Sequence, residues 1–174
     1  EAKLPSGSLV YDSAATPFFH QAGDVDPFMI NLDAGQTATV LFTPQDASIQ
    51  GQLELLDPDG QSLAVASAAA AGQQVLLQTV PVDVAGAYRI EASSLAGAGP
   101  CEVRLLLNAA MEEESVGGAA NDDPGAAQSL AASRFALPAA ASRLAVLGNL
   151  ADEADVDVFS MSLEEQQPTT LTLA

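Results

Sequence analysis

GDVDPFMINL, residues 23–32, returns as ADVDVFSMSL at residues 154–163, 131 positions further along the chain. An ungapped alignment of twenty positions from Gly23 and Ala154 keeps seven identical residues: Asp, Val, Asp, Phe, Leu, Gln and Thr. Solenoids and propellers repeat at about 20–50 residues, so this longer spacing indicates two successive domains. The conspicuous acids of the chain lie inside the repeated phrase.

Apolar and polar residues alternate with a period of two after the first copy of the phrase. Phe28, Ile30 and Leu32 share one face, and Met29 and Asn31 share the other. The same alternation recurs at residues 37–42, 52–55, 88–91 and 103–107, and turn-forming residues stand at 33–35, 57–60 and 85–86. Short alternating runs between tight turns, with one polar face each, predict an all-β fold, a two-sheet antiparallel β-sandwich.

Two segments do not follow this pattern. Residues 64–71 are almost all alanine and have high helix propensity, but they are short and uncapped, so we interpret them as a loop or a single helical turn. Residues 109–125 combine acids and glycines without apolar periodicity, which is typical of a linker. We therefore expect a first β-sandwich domain at 1–108, an acidic, Gly-rich linker at 109–125, and the N-terminal part of a second, similar domain at 126–174.

The repeat also predicts how long a complete second unit would be. Residue 108 closes the first unit, so a second unit of equal length would extend to about position 239, whereas the chain has 174 residues. We expect one complete unit followed by an incomplete one, within a longer polypeptide.

Charge and composition exclude several functions. Five basic against 23 acidic residues give a net charge of −18, which argues against binding to nucleic acid or to anionic membrane surfaces. No apolar run is long enough to insert into a membrane. The acidity favours divalent cations, or solubility in a salty medium. Cys101, the only cysteine, begins an apolar strand and is predicted to be a small buried residue.

The acids form a plausible Ca²⁺ site. Ca²⁺ takes six to eight oxygen ligands, and the two carboxylates of an Asp-x-Asp strand entry project to one side, about 6.5 Å apart at Cα. The better candidate site combines the second copy with the linker, with Glu113 or Glu114 as possible additions; Asp24 and Asp26 form a weaker one. The proposed ligands of the better site are Asn121, Asp122, Asp123, Asp155 and Asp157. The alternative is that these acids cap turns and strands without an ion.

Catalysis finds little support. His20 is the only histidine, and no Gly-x-Ser-x-Gly motif accompanies it. Zinc lacks the usual histidine and cysteine ligands, and a chain without tryptophan offers little aromatic surface for sugars. DPDG at 57–60 opens like a calcium loop but lacks the downstream glutamate, so it is predicted to be a hairpin turn. We predict that the protein is not an enzyme.

Motif order resembles the bacterial pre-peptidase C-terminal (PPC) domain family. NDD at 121–123, VLG at 146–148 and DVDVF at 155–159 look like the opening half of such a domain, and GDVDPF, LDAGQ at 32–36, LELLDPDG at 53–60 and AGAYRI at 85–90 look like the remainder. Residues 1–8 lack the Asn-Asp entry. The resemblance implies a secreted or cell-surface, jelly-roll-like β-sandwich, and some relatives, including collagen-binding segments of collagenases, bind Ca²⁺ near the entering linker.

Three functions remain open. The first is a non-catalytic extracellular module of a surface or matrix protein, stiffened by Ca²⁺ at the linker, with neighbouring domains or other copies of itself as partners. The second is a collagen- or polysaccharide-binding accessory domain of a secreted peptidase, contacting an extracellular polymer through Tyr11, Phe18, Phe19 or Tyr88. The third is a filament or array subunit assembled by strand exchange, suggested by an apparent strand at 169–173 and the strand-like end at 172–174.

Overall fold

The computed structural model describes residues 11–137, 141–163, 165 and 168–172. Nine strands form the two larger sheets of the fold. The nine are β1 (Tyr11–Ala15), β2 (Phe18–Phe19), β3 (Val25–Leu32), β4 (Thr37–Pro44), β5 (Gln50–Leu56), β6 (Ser62–Ser67), β7 (Val75–Pro81), β8 (Gly86–Ala96) and β9 (Gly99–Leu107). Eight of them are five to eleven residues long, whereas β2 and all the strands after β9 are two residues long.

These strands form two antiparallel sheets in the jelly-roll order. One sheet runs β1-β9-β4-β7, with β2 also paired to β9, and the other runs β3-β8-β5-β6. With the eight longer strands numbered one to eight along the chain, the neighbours are 1-8-3-6 and 2-7-4-5. This is the two-sheet arrangement of a jelly roll. The all-β, antiparallel sandwich predicted from the alternating runs is confirmed.

The inner faces of the two sheets enclose the main core. Phe42 of β4 is fully buried and stacks on Phe19 of β2, with ring centroids 6.0 Å apart. Ile30, Leu53 and Ile90 supply the facing sheet. The predicted inward set of β3 is confirmed, since Ile30 and Leu32 are buried and Phe28 packs against this core.

The outer face of β4 carries Thr37, Thr39 and Leu41, as the alternation predicts, but it is buried and does not face solvent. Residues 37–42 are all buried. Leu41 and Leu106 form a second apolar cluster with Met111, and Leu76, Val116 and Leu147 pack around it. Alternation could not reveal this layer, because the covering residues come from the acidic segment after β9 and from still further along the chain.

Residues 64–67 of the alanine-rich segment lie in a strand, so the interpretation as a loop or helical turn was wrong there, whereas residues 68–71 form no strand. β6 covers Ser62–Ser67 and pairs antiparallel with β5. β8 pairs with only one edge of β5, and the other edge supplies the backbone partners of β6. Ala64 and Ala66 also pack against the main core. Pairing and packing therefore override the intrinsic helix propensity of alanine.

Local predictions within the first unit hold. DPDG forms the β5–β6 turn, in which Gly60 has a φ of +81° and the Asp57 carboxylate accepts the backbone N–H groups of Asp59 and Gln61. Cys101 is free and fully buried, and burial raises the pKa of its thiol to about 11.

The chain after β9 forms short paired strands and single turns. The strands are β10 (Ala110–Met111), β11 (Gln128–Ser129), β12 (Phe135–Ala136), β13 (Ser142–Arg143), β14 (Val146–Leu147) and β15 (Phe159–Ser160). β10 pairs with β14 and β11 with β15, both in parallel, and β12 pairs with β13 in antiparallel. The proposed division at 109–125 stays a prediction.

The strand-like run near the end was predicted wrongly where the structure describes it. Residues 169–172 lie in no strand, and residues 173 and 174 fall outside the described part. Alternation alone does not make a strand, which needs a hydrogen-bonded neighbour along its length. No helix formed by the described residues is long and apolar enough to cross a membrane.

Removing the side chain of Leu106 tests how much the second apolar cluster stabilises the fold. Leu106 is fully buried in this cluster, so Leu106→Ala is expected to lower the free energy of unfolding by about 2–5 kcal/mol in urea denaturation. Leu95→Ala is the control, because Leu95 is about half exposed and its truncation should cost no more than about 0.5 kcal/mol. Equal losses in the two variants would contradict a packed outer layer.

Candidate metal centre

A buried glutamate lies at the point where the chain leaves the first sandwich. Residues 109–111 are apolar and buried, and β10 pairs with β14. The next residue, Glu112, donates its backbone N–H to the carbonyl of Leu147 over 2.7 Å and is 1% exposed. The apolar run that precedes Glu112 therefore holds its carboxylate inside the protein.

The Glu112 carboxylate is stabilised by the turn that follows it. Oε1 accepts the N–H of Glu114 at 2.7 Å, and Oε2 accepts the N–H of Ser115 at 2.8 Å. These residues begin the 3₁₀ turn Glu114–Val116, which ends at Gly117 in the left-handed region. The carboxylate thus caps backbone donors that the turn itself leaves unpaired.

Asn121 joins this turn to the second copy of the repeated phrase. Its backbone N–H bonds to Oε2 of Glu114 at 3.1 Å, and its side-chain Nδ2 donates to the carbonyl of Val158 at 3.2 Å. Val158 in return donates its N–H to the carbonyl of Asn121 at 2.9 Å. The phrase is therefore bonded to the segment that follows β9, although about forty residues separate the two in sequence.

The side-chain oxygen of Asn121 finds no hydrogen-bond donor in the described part of the chain. Asn121 is 2% exposed, and its Oδ1 is buried without a partner among the described residues. Leaving a buried amide oxygen unpaired costs about 1–3 kcal/mol. An orphan of this kind in a native structure calls for an explanation such as an ion or a water.

Carboxylates surround the same region in two overlapping groups. Within each group, one oxygen of every residue lies within 4.8 Å of the others. Glu112, Glu114 and Asp157 form the inner group, and Glu114, Asp122 and Asp155 form the outer group. The outer group faces a solvent-open hollow of about 540 Å³, whose lining also includes Ala151, Asp152, Ala154 and Val156.

The cluster is electrostatically unfavourable by itself. Burial raises the pKa of Asp157, and the nearby carboxylates of Glu112, Asp155, Glu114 and Asp122 raise it further. The described ion pairs of Arg89 with Glu91 and of Arg104 with Asp12 lie on the first sandwich. Neither of these described ion pairs reaches the cluster, and a bound cation would relieve the repulsion between its like charges.

The structure brings together some of the residues predicted from the sequence. Asp122, Asp155 and Asp157 lie in the two groups, and Asn121 adjoins them through Glu114. Asp123 belongs to neither group. Its Oδ1 accepts the N–H groups of Gly125 and Ala126, so it caps an exposed turn.

Asp24 and Asp26 also belong to neither group. Asp24 Oδ2 accepts the N–H of His20 at 2.8 Å, and Oδ1 accepts that of Val25. Burial raises the pKa of Asp26, with a further contribution from Asp24. Asp24 therefore fits the capping alternative, whereas Oδ2 of Asp26 is buried without a hydrogen-bond partner among the described residues.

Sequence reasoning did not single out Glu112, which is the most deeply buried member of the cluster. The run Glu112–Glu114 was interpreted as solvated linker, with Glu113 or Glu114 as possible ligands. Glu113 is exposed and binds Gln128 through its backbone N–H. The usable signal was the apolar run at 109–111, which places the following side chain at the edge of a packed layer.

The position of Gly148 beside Glu112 explains why the VLG motif ends in glycine. A Cβ at this position would lie 2.4 Å from the Cβ of Glu112 and 2.9 Å from its Cγ. Any larger residue would push Glu112 away from the turn that it caps. The glycine therefore permits the close approach of the two segments.

The aromatic residues do not form an exposed strip. Phe19 and Tyr88 are buried in the main core, and the Tyr88 hydroxyl donates to the carbonyl of Val84. Phe18 is about half exposed, with its ring 5.4 Å from that of His20.

Comparisons with known proteins identify no family. No family model and no curated protein matches this chain. Among solved structures, it is similar to the Aeromonas hydrophila protein PliG, a periplasmic inhibitor of g-type lysozyme, with a TM-score of 0.42 and 14% identity over 61% of this chain and 92% of that one. It is also similar to the infectious bursal disease virus VP2 subviral particle, with a TM-score of 0.35 and 13% identity over 56% of this chain and 31% of that one. Likenesses this distant carry no functional argument.

Gly148→Ala tests the close approach at Glu112. The added methyl group would overlap Glu112, so we expect a loss of about 1–3 kcal/mol in the free energy of unfolding, measured by urea denaturation. Gly125→Ala is the control, because its Cβ would meet only the carboxylate end of Asp123. A loss no larger than that of the control would show that the two segments do not pack as described.

Proposed function

We propose that this protein is a non-catalytic extracellular structural module that binds Ca²⁺ where the first sandwich meets the second copy of the repeated phrase. One observation carries the proposal: five carboxylates form two overlapping groups that share Glu114, and Glu114 is bonded to Asn121, whose buried side-chain oxygen has no donor among the described residues. Carboxylate and amide oxygens are all acceptors. They cannot donate hydrogen bonds to one another, whereas a cation bound among them would be a shared positive partner.

The ligand chemistry favours Ca²⁺ over other metals. All the grouped side chains offer hard oxygen atoms, and the described groups contain neither histidine nor cysteine, which zinc and softer metals prefer. Ca²⁺ accepts irregular arrangements of six to eight oxygens, including carbonyls and waters. The two overlapping groups offer a position between Glu112, Glu114 and Asp157, and a second between Glu114, Asp122 and Asp155.

The position of the ligands gives the ion a mechanical role. Glu112 and Glu114 come just after β10, whereas Asp155 and Asp157 lie about forty residues later, in the phrase that repeats Asp24 and Asp26. An ion shared by both sets would tie the two segments together and neutralise their repulsion. Without the ion, repulsion between the same carboxylates would favour separation of the two segments.

This role fits a module placed in series with others. The repeat of the Asp-Val-Asp phrase and the likeness to PPC-domain motifs support neighbouring units of one long secreted or surface chain as partners. The net charge of −18 suits a protein that meets millimolar Ca²⁺ outside the cell.

Calcium titration tests the proposal. Saturating Ca²⁺ is expected to stabilise the protein by about 2.7 kcal/mol at one hundred times Kd, with heat detected by isothermal titration calorimetry. Asp157→Asn should weaken binding at least tenfold, and it should also stabilise the metal-free protein, because it removes a carboxylate whose pKa is raised by burial and by its neighbours.

Asp123→Asn is the matched control for this titration. It removes one negative charge next to Asp122 but keeps an oxygen able to cap the turn at Gly125. It should bind Ca²⁺ almost as the unaltered protein does. Absence of heat and of stabilisation in millimolar Ca²⁺ would refute a calcium site.

Limited proteolysis tests the stiffening. Removing Ca²⁺ with a chelator should increase cleavage between residues 109 and 125, because the carboxylates would then repel one another and the segment would open more often. The fragments are identified by mass spectrometry, with cleavage in the β5–β6 turn as the internal control. Cleavage between 109 and 125 that is unaffected by chelator would leave the ion without a mechanical role.

A further inference from the structure

The outer edge of β3 has no paired strand among the described residues. β3 pairs with β8 along its whole length, and it forms one end of its sheet. Its exposed side chains include Val25, which is 46% exposed, and Met29, which is 58% exposed. An unpaired edge of this kind is a template for another strand.

The hydrogen-bond pattern shows which backbone groups face outward. Ser94 donates its N–H to the carbonyl of Asp24, so Asp24 is directed towards β8. In an antiparallel pair the direction alternates, and the backbone groups of Val25, Pro27 and Met29 therefore point away from the sheet. Proline is tolerated within a strand at such an outward position, because it has no N–H to donate.

The second copy of the phrase carries an added strand on the corresponding edge. β15 pairs in parallel with β11. The carbonyl of Val158 accepts the N–H of Gln128 at 3.0 Å, and the carbonyl of Ser160 accepts that of Leu130 at 2.9 Å. The repeat spacing of 131 places Pro27 at the position of Val158 and Met29 at that of Ser160.

Local geometry supports this correspondence. Asp24 Oδ2 accepts the N–H of His20, and Asp155 Oδ2 accepts the N–H of Ala151, in each case four positions earlier. The N–H groups of Asp24 and Asp155 themselves bond to the carbonyl three positions earlier. The two copies therefore enter their strands through the same turn.

We propose that the outer edge of β3 binds, in parallel, an extended segment with the chemistry of residues 121–130, supplied by another unit of this type. The residue corresponding to Gln128 donates to the carbonyl of Pro27, and the residue corresponding to Leu130 donates to that of Met29. One bond is missing relative to the second copy, because Val158 donates its N–H to the carbonyl of Asn121 and Pro27 has no N–H. The edge of β3 is thus the weaker of the two acceptors. This proposal does not depend on bound Ca²⁺.

A synthetic peptide with the sequence of residues 119–131 tests the proposal on the ¹⁵N-labelled protein in chelator. We expect the amide of Met29 to shift in the NMR spectrum and to exchange more slowly as peptide is added. Pro27→Val restores the missing donor and should tighten binding between about twofold and about tenfold, as one net hydrogen bond allows. The control peptide is methylated on the backbone nitrogen of Gln128, which removes the donor to Pro27, and it should bind more weakly.

Four results would overturn the proposal. They are an amide of Met29 that is already protected in the protein alone, no shift at Met29 with millimolar peptide, shifts confined to residues 158–160, and equal binding of the methylated peptide. The methylated peptide leaves the protein unchanged, so it decides the question even if Pro27→Val does not fold.

Discussion

Burial of the β4–β9 pair on both faces is the constraint on which the rest of the structure depends. On the inner face, Phe42 and Leu105 contribute to the main core, and on the outer face Leu41 and Leu106 form a second cluster. The sandwich cannot cover that outer face with its own strands. Met111, Val116 and Leu147 cover it instead, so the chain after β9 is held against the sheet.

The acidic cluster follows from that packing. Once Met111 is buried and β10 is paired with β14, Glu112 has no route to solvent and must find its partners in the turn that begins at Glu114. Asn121 then bonds both to Glu114 and to the strand entry at Val158. Acceptors thereby accumulate in one place, and the proposed ion is the counter-charge that this geometry lacks.

The two copies of the phrase form the same turn but lie in different surroundings. Asp24 and Asp155 make the same turn. Beyond burial, the pKa of Asp26 is raised by Asp24, whereas the pKa of Asp157 is raised by Glu112 and Glu114 as well as by Asp155. The difference lies in what packs beside the strand. A motif of this length fixes its own turn, and its surroundings decide whether its acids become a cluster.

Much of the fold could be predicted from the sequence, because side-chain alternation and turn chemistry are local. Phe28, Ile30 and Leu32 pointed to a strand with one buried face, DPDG to a hairpin, and Cys101 to a core position. Contacts between segments that lie far apart in the sequence could not be predicted in this way. Only the tertiary structure decided that the alanines of β6 complete a sheet edge, that Glu112 is buried, and that Asp122 joins a group of acids while Asp123 caps a turn. The first two outcomes depend on which distant segment packs alongside, and the third depends on where Asp155 and Glu114 lie.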